Sequence, residues 1–494
     1  MQYQYVINRE QMYQLDKRTM TEYPIESPIL MEVAGLKSSQ KLTEKFPTKN
    51  HTYLILCSHG NNSGDGFVIA RWLINASANV EILFVGDESK MTSETHKNYL
   101  LCKKLGCLFI DNESFDLSSL LPDTVVIDAL LGIGFQGQLR LPISLIIEQV
   151  NKLQNPRVAI DIPSGLDADT GESNLAFKAD FTYTMAAIKQ GMLLNKGPAC
   201  CGKIEIIDIG IPEMYYKELD FSAKIQTQMK YPQRYKHSHK GDYGKVLIIA
   251  GSSGYSGAAI LSAKACVKAG AGLVKLLHPQ GMESIFESSL TEVMTTGITC
   301  ETNLDEYLEW SDVLLIGPGL GQSKEAEHIL VYVLKYYLKT LVIDADGINL
   351  IAKNRQILLR SKARILLTPH LGEFSRLSGI SIPQLKQNLL KYTRNFIKEY
   401  PVSLLLKNAN TLYIDPKCSR FNITGNDGLS TGGSGDVLAG IIVSFLGQKM
   451  TLADAAINAS YYLGKLVEKM SQSQSTFSII PSEIIEHIGK ITIE

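Results

Sequence analysis

Short, nearly continuous apolar runs recur along the chain, with stretches of helical periodicity between them. In the first half the runs are Tyr53-Leu-Ile-Leu-Cys57, Val80-Glu-Ile-Leu-Phe-Val85, Thr124-Val-Val-Ile-Asp128, Arg157-Val-Ala-Ile-Asp161, Phe181-Thr-Tyr-Thr-Met185 and Ile204-Glu-Ile-Ile-Asp208. Residues 8 to about 45 read as two helices ahead of them, the second containing Leu30-Met-Glu-Val-Ala-Gly35. Strands with little polar alternation are buried on both faces, so the pattern predicts a mostly parallel sheet with helices on either side. From Ile211 to about Lys240 the chain is polar and rich in Tyr and Lys, which breaks the rhythm and marks a domain boundary. A second alternation starts at Lys245-Val-Leu-Ile-Ile-Ala250. It continues through Leu273–Leu277, Val313–Ile316, Leu341–Asp344, Arg364–Leu367 and Val402–Leu406, and Thr411–Ile414 with Arg420–Asn422 reads as a hairpin. The predicted fold class is α/β: two three-layer domains in series, each with a mostly parallel sheet. Their expected bounds are 1–215 and 236–494, with a linker over 216–235.

Composition narrows the partners. At 494 residues the chain exceeds what one core organises. Charged residues make up 20% and the formal net charge is -1, which argues against a nucleic-acid face. No apolar run reaches bilayer length, and the start, Met1-Gln-Tyr-Gln-Tyr-Val-Ile-Asn, lacks a basic-then-apolar signal. The eight cysteines include Cys200-Cys201 but no C-x-x-C, and read as reduced packing residues of a cytoplasmic protein. His237 and His239 have metal-binding chemistry, but Lys236, Lys240 and Asp242 around them place them in a solvated linker.

Candidate chemistry lies where strands end. Asn422-Ile-Thr-Gly-Asn-Asp-Gly-Leu-Ser-Thr-Gly-Gly-Ser-Gly-Asp436 runs glycines and hydroxyls into the apolar helical stretch Val437–Leu446. Unpaired N–H groups at a helix start favour an anion, and Asp436 stands beside it. Gly60-Asn-Asn-Ser-Gly-Asp-Gly66 follows a strand and precedes a helical run, at the edge of a parallel sheet where ligands bind. Asp128 and Asp161 each end a strand at that edge, as N-caps or as site residues. Gly132-Ile-Gly-Phe-Gln-Gly137 matches G-x-G-x-x-G, but it starts several residues past its strand and lies mid-sheet. A dehydrogenase is therefore only the second reading of that segment. In the second half, Gly317-Pro-Gly-Leu-Gly321, Asp344-Ala-Asp-Gly347, Thr368-Pro-His-Leu-Gly-Glu373 and Lys407-Asn-Ala-Asn-Thr411 each follow a strand. Singly each is an ordinary loop, but together with the Asp436 loop they are hard to explain structurally.

Leu30–Gly35, Gly60–Gly66, Asp128-Ala-Leu-Leu-Gly-Ile-Gly134 and Ala159-Ile-Asp-Ile-Pro-Ser-Gly165 resemble the Rossmann-like epimerase domain of NAD(P)H-hydrate repair enzymes, over roughly residues 5–215. Such enzymes act on nicotinamide cofactor that has taken up water across a ring double bond. The resemblance implies that Asn61, Asn62, Ser63, Gly64 and Asp65 contact the hydrate. It implies the same of Gly132, Ile133, Gly134, Phe135, Gln136, Gly137 and Gln138. It makes Asp161 the acid/base, with Lys189 assisting, and a potassium ion held by Asn62, Asp128 and Ser164. The chain departs from the family at Ser58-His59, where Gly-Pro is usual, at Ser63 for a glycine, and at Val33 for an asparagine. An added Cβ at Ser63 restricts φ where a loop bends.

The second half resembles ribokinase-like proteins, most closely the NAD(P)H-hydrate dehydratase branch, through Thr-Pro-His-Leu-Gly-Glu373 and Thr-Gly-Gly-Ser-Gly-Asp436. That resemblance implies Asp436 as general base, with the amides of Gly433, Ser434 and Gly435 on the transferred phosphoryl. Ala258, Gly319, His370 and Asp436 would face the hydrate. Lys407, Asn408, Ala409, Asn410, Thr411 and Gly435 would hold the nucleotide, although Asn408 replaces a usual glycine. The implied co-substrate is ADP with magnesium, as in fused bacterial-type proteins, whereas eukaryotic dehydratases use ATP. The whole is expected to be a homo-oligomer acting on NAD(P)H hydrate without nucleic-acid or membrane partners. Two alternatives stay open: a ribokinase-like kinase of a vitamin or sugar, and an active dehydratase behind a non-catalytic N-terminal domain.

Overall fold

The computed structural model describes residues 3–110, 120–219 and 223–490. Contacts divide the chain into two units, with the boundary between Ala223 and Lys224.

The N-terminal unit is built on a parallel seven-stranded sheet. Its strands run, edge to edge, Leu108–Ile110, Asn79–Phe84, Thr52–Cys57, Thr124–Ala129, Arg157–Ile160, Phe181–Met185 and Lys203–Ile207. The central strands bury both faces. Tyr53, Ile55 and Cys57 join one core with Val125, Ile127 and Ala129. Leu54, Leu56 and Val126 join the other, with Ile146, Ile147 and Val150 of the helix Ile143–Val150. That period of two explains why the central strands read as unbroken apolar runs. Helices Arg9–Glu22 and Ser27–Lys45 form as the periodicity predicts, the first started by a capping box between Asn8 and Gln11. Strand Tyr3–Ile7 pairs in parallel with the two-residue strand Ile188–Lys189.

One expectation changes here. The segment read as a loop, Asn61–Gly66, is the start of the helix Asn61–Asn75, with Gly60 as its N-cap. Ser63 is helical and its φ is not positive, so its Cβ meets no conformational penalty. Its buried hydroxyl donates to the Ala129 carbonyl and accepts the Ser58 N–H, both at 2.7 Å. The side chain ties the helix start to two neighbouring strand ends instead of distorting a turn.

The sheet of the C-terminal unit begins with Met294–Ile298, Leu273–Pro279, Lys245–Ile249, Val313–Ile316, Thr340–Ile343, Arg364–Leu367 and Val402–Leu406, all parallel. The antiparallel pair Thr411–Ile414 and Ser419–Asn422 extends it. Strand Ala223–Gln226 then adds in parallel beside Ser419–Asn422, inside the stretch expected to be linker; residues 220–222 of that stretch lie outside the described residues. The helix Ser434–Gly447 is buried on every side from Val437 to Gly447, which accounts for its unbroken apolar run. It packs with the helices Ser256–Lys268 and Leu452–Met470 in one core. Among the described residues no helix is long and apolar enough to cross a membrane.

Candidate active sites

In the N-terminal unit, a cavity of about 740 Å³ opens at the carboxyl edge of the sheet. Asn61, Asn62, Asp65, Gly132, Ile133, Gly134, Phe135, Asp161 and Lys189 line it, so these residues are brought together around one space. Gln136, Gly137 and Gln138 lie outside its lining and are exposed. Ser63 and Gly64 are buried behind it, Gly64 so close to Met31 that a Cβ would stand 2.5 Å from the Met31 methyl. Arg9 anchors the 132–138 loop by donating to the Phe135 carbonyl at 3.3 Å while it pairs with Asp167 at 2.9 Å.

Asp161 follows the strand Arg157–Ile160 with φ of 65°, a left-handed conformation that costs a non-glycine residue energy and is held only by its surroundings. What holds it is a set of hydrogen bonds. Its N–H donates to the Tyr183 carbonyl at 2.8 Å, and its Oδ1 accepts the Met185 N–H at 3.2 Å. The Lys189 ammonium, fully buried, also donates to Oδ1. Two further bonds from that ammonium, to Thr184 Oγ1 at 2.9 Å and the Met185 carbonyl at 2.8 Å, satisfy all three of its protons. The pair gives the cavity a fixed carboxylate with a charge partner behind it.

Two more acids share this space. Burial pushes Asp65 well above the ordinary carboxylate range, and the negative charges of Asp161 and Asp16 add to that. Asp16 was not found by sequence reasoning. It lines the cavity, and burial raises its carboxyl to about 6 against the opposing pull of Lys189. The signal was present: positions 12, 15, 16 and 19 form one helical stripe, of which Met12, Leu15 and Thr19 are buried. An acid within a core-facing stripe needs an explanation.

Asp128 and Ser164 meet beside Leu130 and Leu131, which line the cavity and whose N–H groups they accept. Asp128 accepts the Ser164 hydroxyl at 2.6 Å, the Ser164 N–H at 2.7 Å and the Leu130 N–H at 3.2 Å. Burial nevertheless lifts its carboxyl to about 6. Asn62 donates its amide N–H to the Leu131 carbonyl at 3.0 Å, while its amide oxygen is buried with no hydrogen-bond partner. A buried acceptor left unpaired costs on the order of 1–3 kcal/mol unless a cation or water meets it. Asn62, Asp128 and Ser164 thus offer oxygen donors, one of them unclaimed, which suits a hard cation.

In the C-terminal unit the strand ends converge as expected. Gly433, with φ of 102°, is the N-cap of Ser434–Gly447 and places Asp436 in the first turn. The Ser434 N–H already donates to the Thr431 carbonyl at 3.2 Å. That removes one of the three amides expected to face a phosphoryl group and leaves Gly433 and Gly435. A Cβ on Gly435 would lie 3.3 Å from Lys407 Nζ and crowd it, so glycine keeps that ammonium open. Lys407 donates to Asp344 Oδ1 at 2.7 Å. Burial opposes its charge, but Asp344, Glu373 and Asp436 more than compensate and raise its pKa.

Burial, and then the negative charge of Asp344, raise the Asp436 carboxyl to about 7 against the pull of Lys407. Asp346 accepts the Gly321 N–H at 3.0 Å, and Gly317 passes so close to Asp344 that a Cβ there would overlap its carbonyl. Gly319, with φ of 57°, packs on Tyr255, and a Cβ on it would stand 3.1 Å from that of Ala258. His370 caps the helix Leu371–Ser378, its Nδ1 accepting the N–H groups of Gly372 and Glu373 at 3.0 and 3.2 Å. That fixes the proton on Nε2. Lys407 is bridged to His370 and donates its N–H to the Pro369 carbonyl at 2.8 Å. Asn408 and Ala409 are exposed at the hairpin beyond it. Asp344 was legible only as part of a loop, because an ion pair across two strands leaves no mark in the local sequence.

Comparison with known proteins joins the two halves. The family described as YjeF-related protein N-terminus matches residues 27–191, and that described as NAD(P)H-hydrate dehydratase matches residues 246–490. A bifunctional NAD(P)H-hydrate repair enzyme of Moorella thermoacetica is 34% identical over 98% of this chain and 96% of its own length. The chain belongs to the bifunctional NAD(P)H-hydrate repair enzymes. An Escherichia coli member of the repair family is 33% identical over 94% of this chain and 89% of its own. Among solved structures, a ribokinase-like superfamily protein of Enterococcus faecalis is 30% identical with a TM-score of 0.47, covering 53% of this chain and 90% of that one. An ADP/ATP-dependent NAD(P)H-hydrate dehydratase of Bacillus subtilis, co-crystallised with ATP and Mg2+, is 26% identical with a TM-score of 0.46, covering 52% and 92%.

Proposed function

We propose that this chain restores hydrated nicotinamide cofactor in two steps, epimerising R and S NAD(P)H hydrate in its N-terminal unit and dehydrating the S form in its C-terminal unit with ADP. The observation that carries this reading is Asp436. It is a carboxyl raised to about 7, in the first turn of a helix, beside glycine amides and the ammonium of Lys407. A base that titrates near working pH, next to an anion cradle, is what phosphoryl transfer to a hydroxyl requires.

Water adds to an enamine with its oxygen on the carbon beside nitrogen, so the hydrate carries a hydroxyl there. Hydroxide leaves poorly. Asp436 accepts the hydroxyl proton as the oxygen attacks the terminal phosphorus of the nucleotide, which departs as AMP. Gly433 and Gly435 donate N–H groups to the phosphoryl oxygens, and Lys407 offsets their charge. Phosphate is then expelled by the ring nitrogen lone pair, and loss of a proton from the adjacent carbon restores the double bond. Ala258 and Gly319 form the close wall on which the ring lies, His370 presents its Nε2–H, and Lys407–Thr411 covers the nucleotide, which enters with its magnesium.

In the N-terminal unit Asp161 acts as acid/base, held by Lys189, while Asn61, Asp65 and Gly132–Phe135 hold the hydrate. Asn62, Asp128 and Ser164 would hold a potassium ion, which would supply a positive charge at that oxygen cluster. The eight free cysteines accord with a reducing cytoplasm, where a homo-oligomer is expected.

The test gives the protein mixed R and S NADH hydrate with ADP, and separately with ATP, and follows the dihydronicotinamide absorbance. Full conversion of both epimers is expected with ADP. No recovery with either nucleotide contradicts the reading, and a stable phosphorylated product indicates a kinase instead.

A further inference from the structure

Of the three acids that line the epimerase cavity, Asp161, Asp65 and Asp16, nothing above employs the last. Asp16 projects from the helix Arg9–Glu22, an element separate from the strand end that carries Asp161, and both line the same space. The carboxyl of Asp16 makes no hydrogen bond or ion pair to any described residue, whereas Asp161 is bonded on its inner side to Lys189 and the Met185 N–H. The other charged or titratable groups lining the cavity are Tyr13, Lys17, His59, Asp65 and Lys189. Lys189 already has three acceptors, and Lys17 is exposed. Asp16 is thus a partly buried carboxyl aimed at the substrate space with its bonding capacity unspent. Burial raises it to about 6, so near that pH about half of it is present as the acid, and two carboxyls in different environments can divide acid and base work.

Inversion at a carbon bearing both hydroxyl and ring nitrogen has a direct route that requires two such groups. An acid protonates the hydroxyl, the C–O bond breaks to release water, and the nitrogen lone pair forms C=N. On the opposite face a second water bonds to that carbon and loses its proton to a base, while the C=N pair returns to nitrogen. One water leaves and one enters. The two carboxyls exchange one proton, which returns through solvent or on a turnover in the opposite direction.

We infer that Asp16 is the second catalytic residue of the epimerase site, working on one face of the hydrate ring while Asp161 works on the other. The inference rests on the epimerase reading of this cavity. It also explains why a carboxyl sits in a stripe otherwise given to Met12, Leu15 and Thr19.

The test uses the full chain and purified R-NADH hydrate in water enriched in oxygen-18. Chiral separation gives the rate and mass spectrometry the isotope. Wild type is expected to take up one solvent oxygen per inversion. In Asp16→Asn, which keeps the size, kcat for epimerisation falls about 100-fold or more with KM within about threefold. Asp16→Glu, which keeps the acid, recovers at least about a tenth of the wild-type rate on the same acid/base logic. Dehydration of S hydrate by the same preparations reports that the chain is intact. An Asn variant within about threefold of wild type, equal loss in the Asn and Glu variants, or inversion without solvent oxygen overturns the inference. A wild type that does not invert the hydrate at all overturns the epimerase reading itself, which is a separate outcome.

Discussion

Lys407 Nζ lies 2.7 Å from Asp344 Oδ1, and the bare Cα of Gly435 leaves this pair facing the helix start that carries Asp436. The pair sets the charge around the proposed base from both sides, since Asp344 raises the Asp436 pKa and Lys407 lowers it. Asp436 must be ionised to accept a proton. Its carboxyl is raised to about 7, so dehydration should fall as pH drops through 7, approaching about tenfold per unit below it. Asp344→Asn removes the charge that raises Asp436 and frees Lys407 to favour its ionised form, so the midpoint should move to lower pH. A pH profile of kcat for both proteins checks the sign; an unmoved or more alkaline midpoint would show that the pair does not govern the base.

The unpaired amide oxygen of Asn62 predicts a cation dependence of epimerisation. Epimerisation should rise saturably as potassium replaces a bulky organic cation, while dehydration follows a separate dependence. Asn62→Ala should weaken the potassium response by about tenfold or more. Ser164→Ala strips the buried Asp128 of its hydroxyl donor and should destabilise the N-terminal unit by about 1–3 kcal/mol, measurable by denaturant unfolding.

Ser63 offers a test of the helix start. Reverting it to the family's glycine removes two buried hydrogen bonds and puts glycine inside a helix. Stability should drop by about 1–3 kcal/mol, with no gain in epimerisation. A more stable or faster Ser63→Gly protein would mean that the hydroxyl is tolerated strain.

Much of the fold was legible because its central strands bury both faces and leave unbroken apolar runs, as at Leu341–Ile343. What escaped lies where that logic weakens. Met294–Ile298 is an edge strand, half-exposed along most of its length, and Leu108–Ile110 is a short one. Ile188–Lys189 is only two residues long and is fixed by pairing with Val6 and Ile7. The start of the Asn61–Asn75 helix was hidden by residues that usually mark turns, and tertiary contacts of Gly64, Gly66 and Ser63 outweigh that propensity. In the sites, residues carried by motifs were legible, whereas Asp16, and Asp344 as the partner of Lys407, are defined by what the fold brings beside them.

If two separate sites perform the two steps, single-epimer assays of two variants should separate the activities. Asp436→Asn should lose dehydration of S hydrate by about 100-fold or more and still interconvert R and S at the wild-type rate. Asp161→Asn should dehydrate S hydrate normally and leave R hydrate unconverted. Normal dehydration in Asp436→Asn, or loss of both activities in either folded variant, would contradict the account.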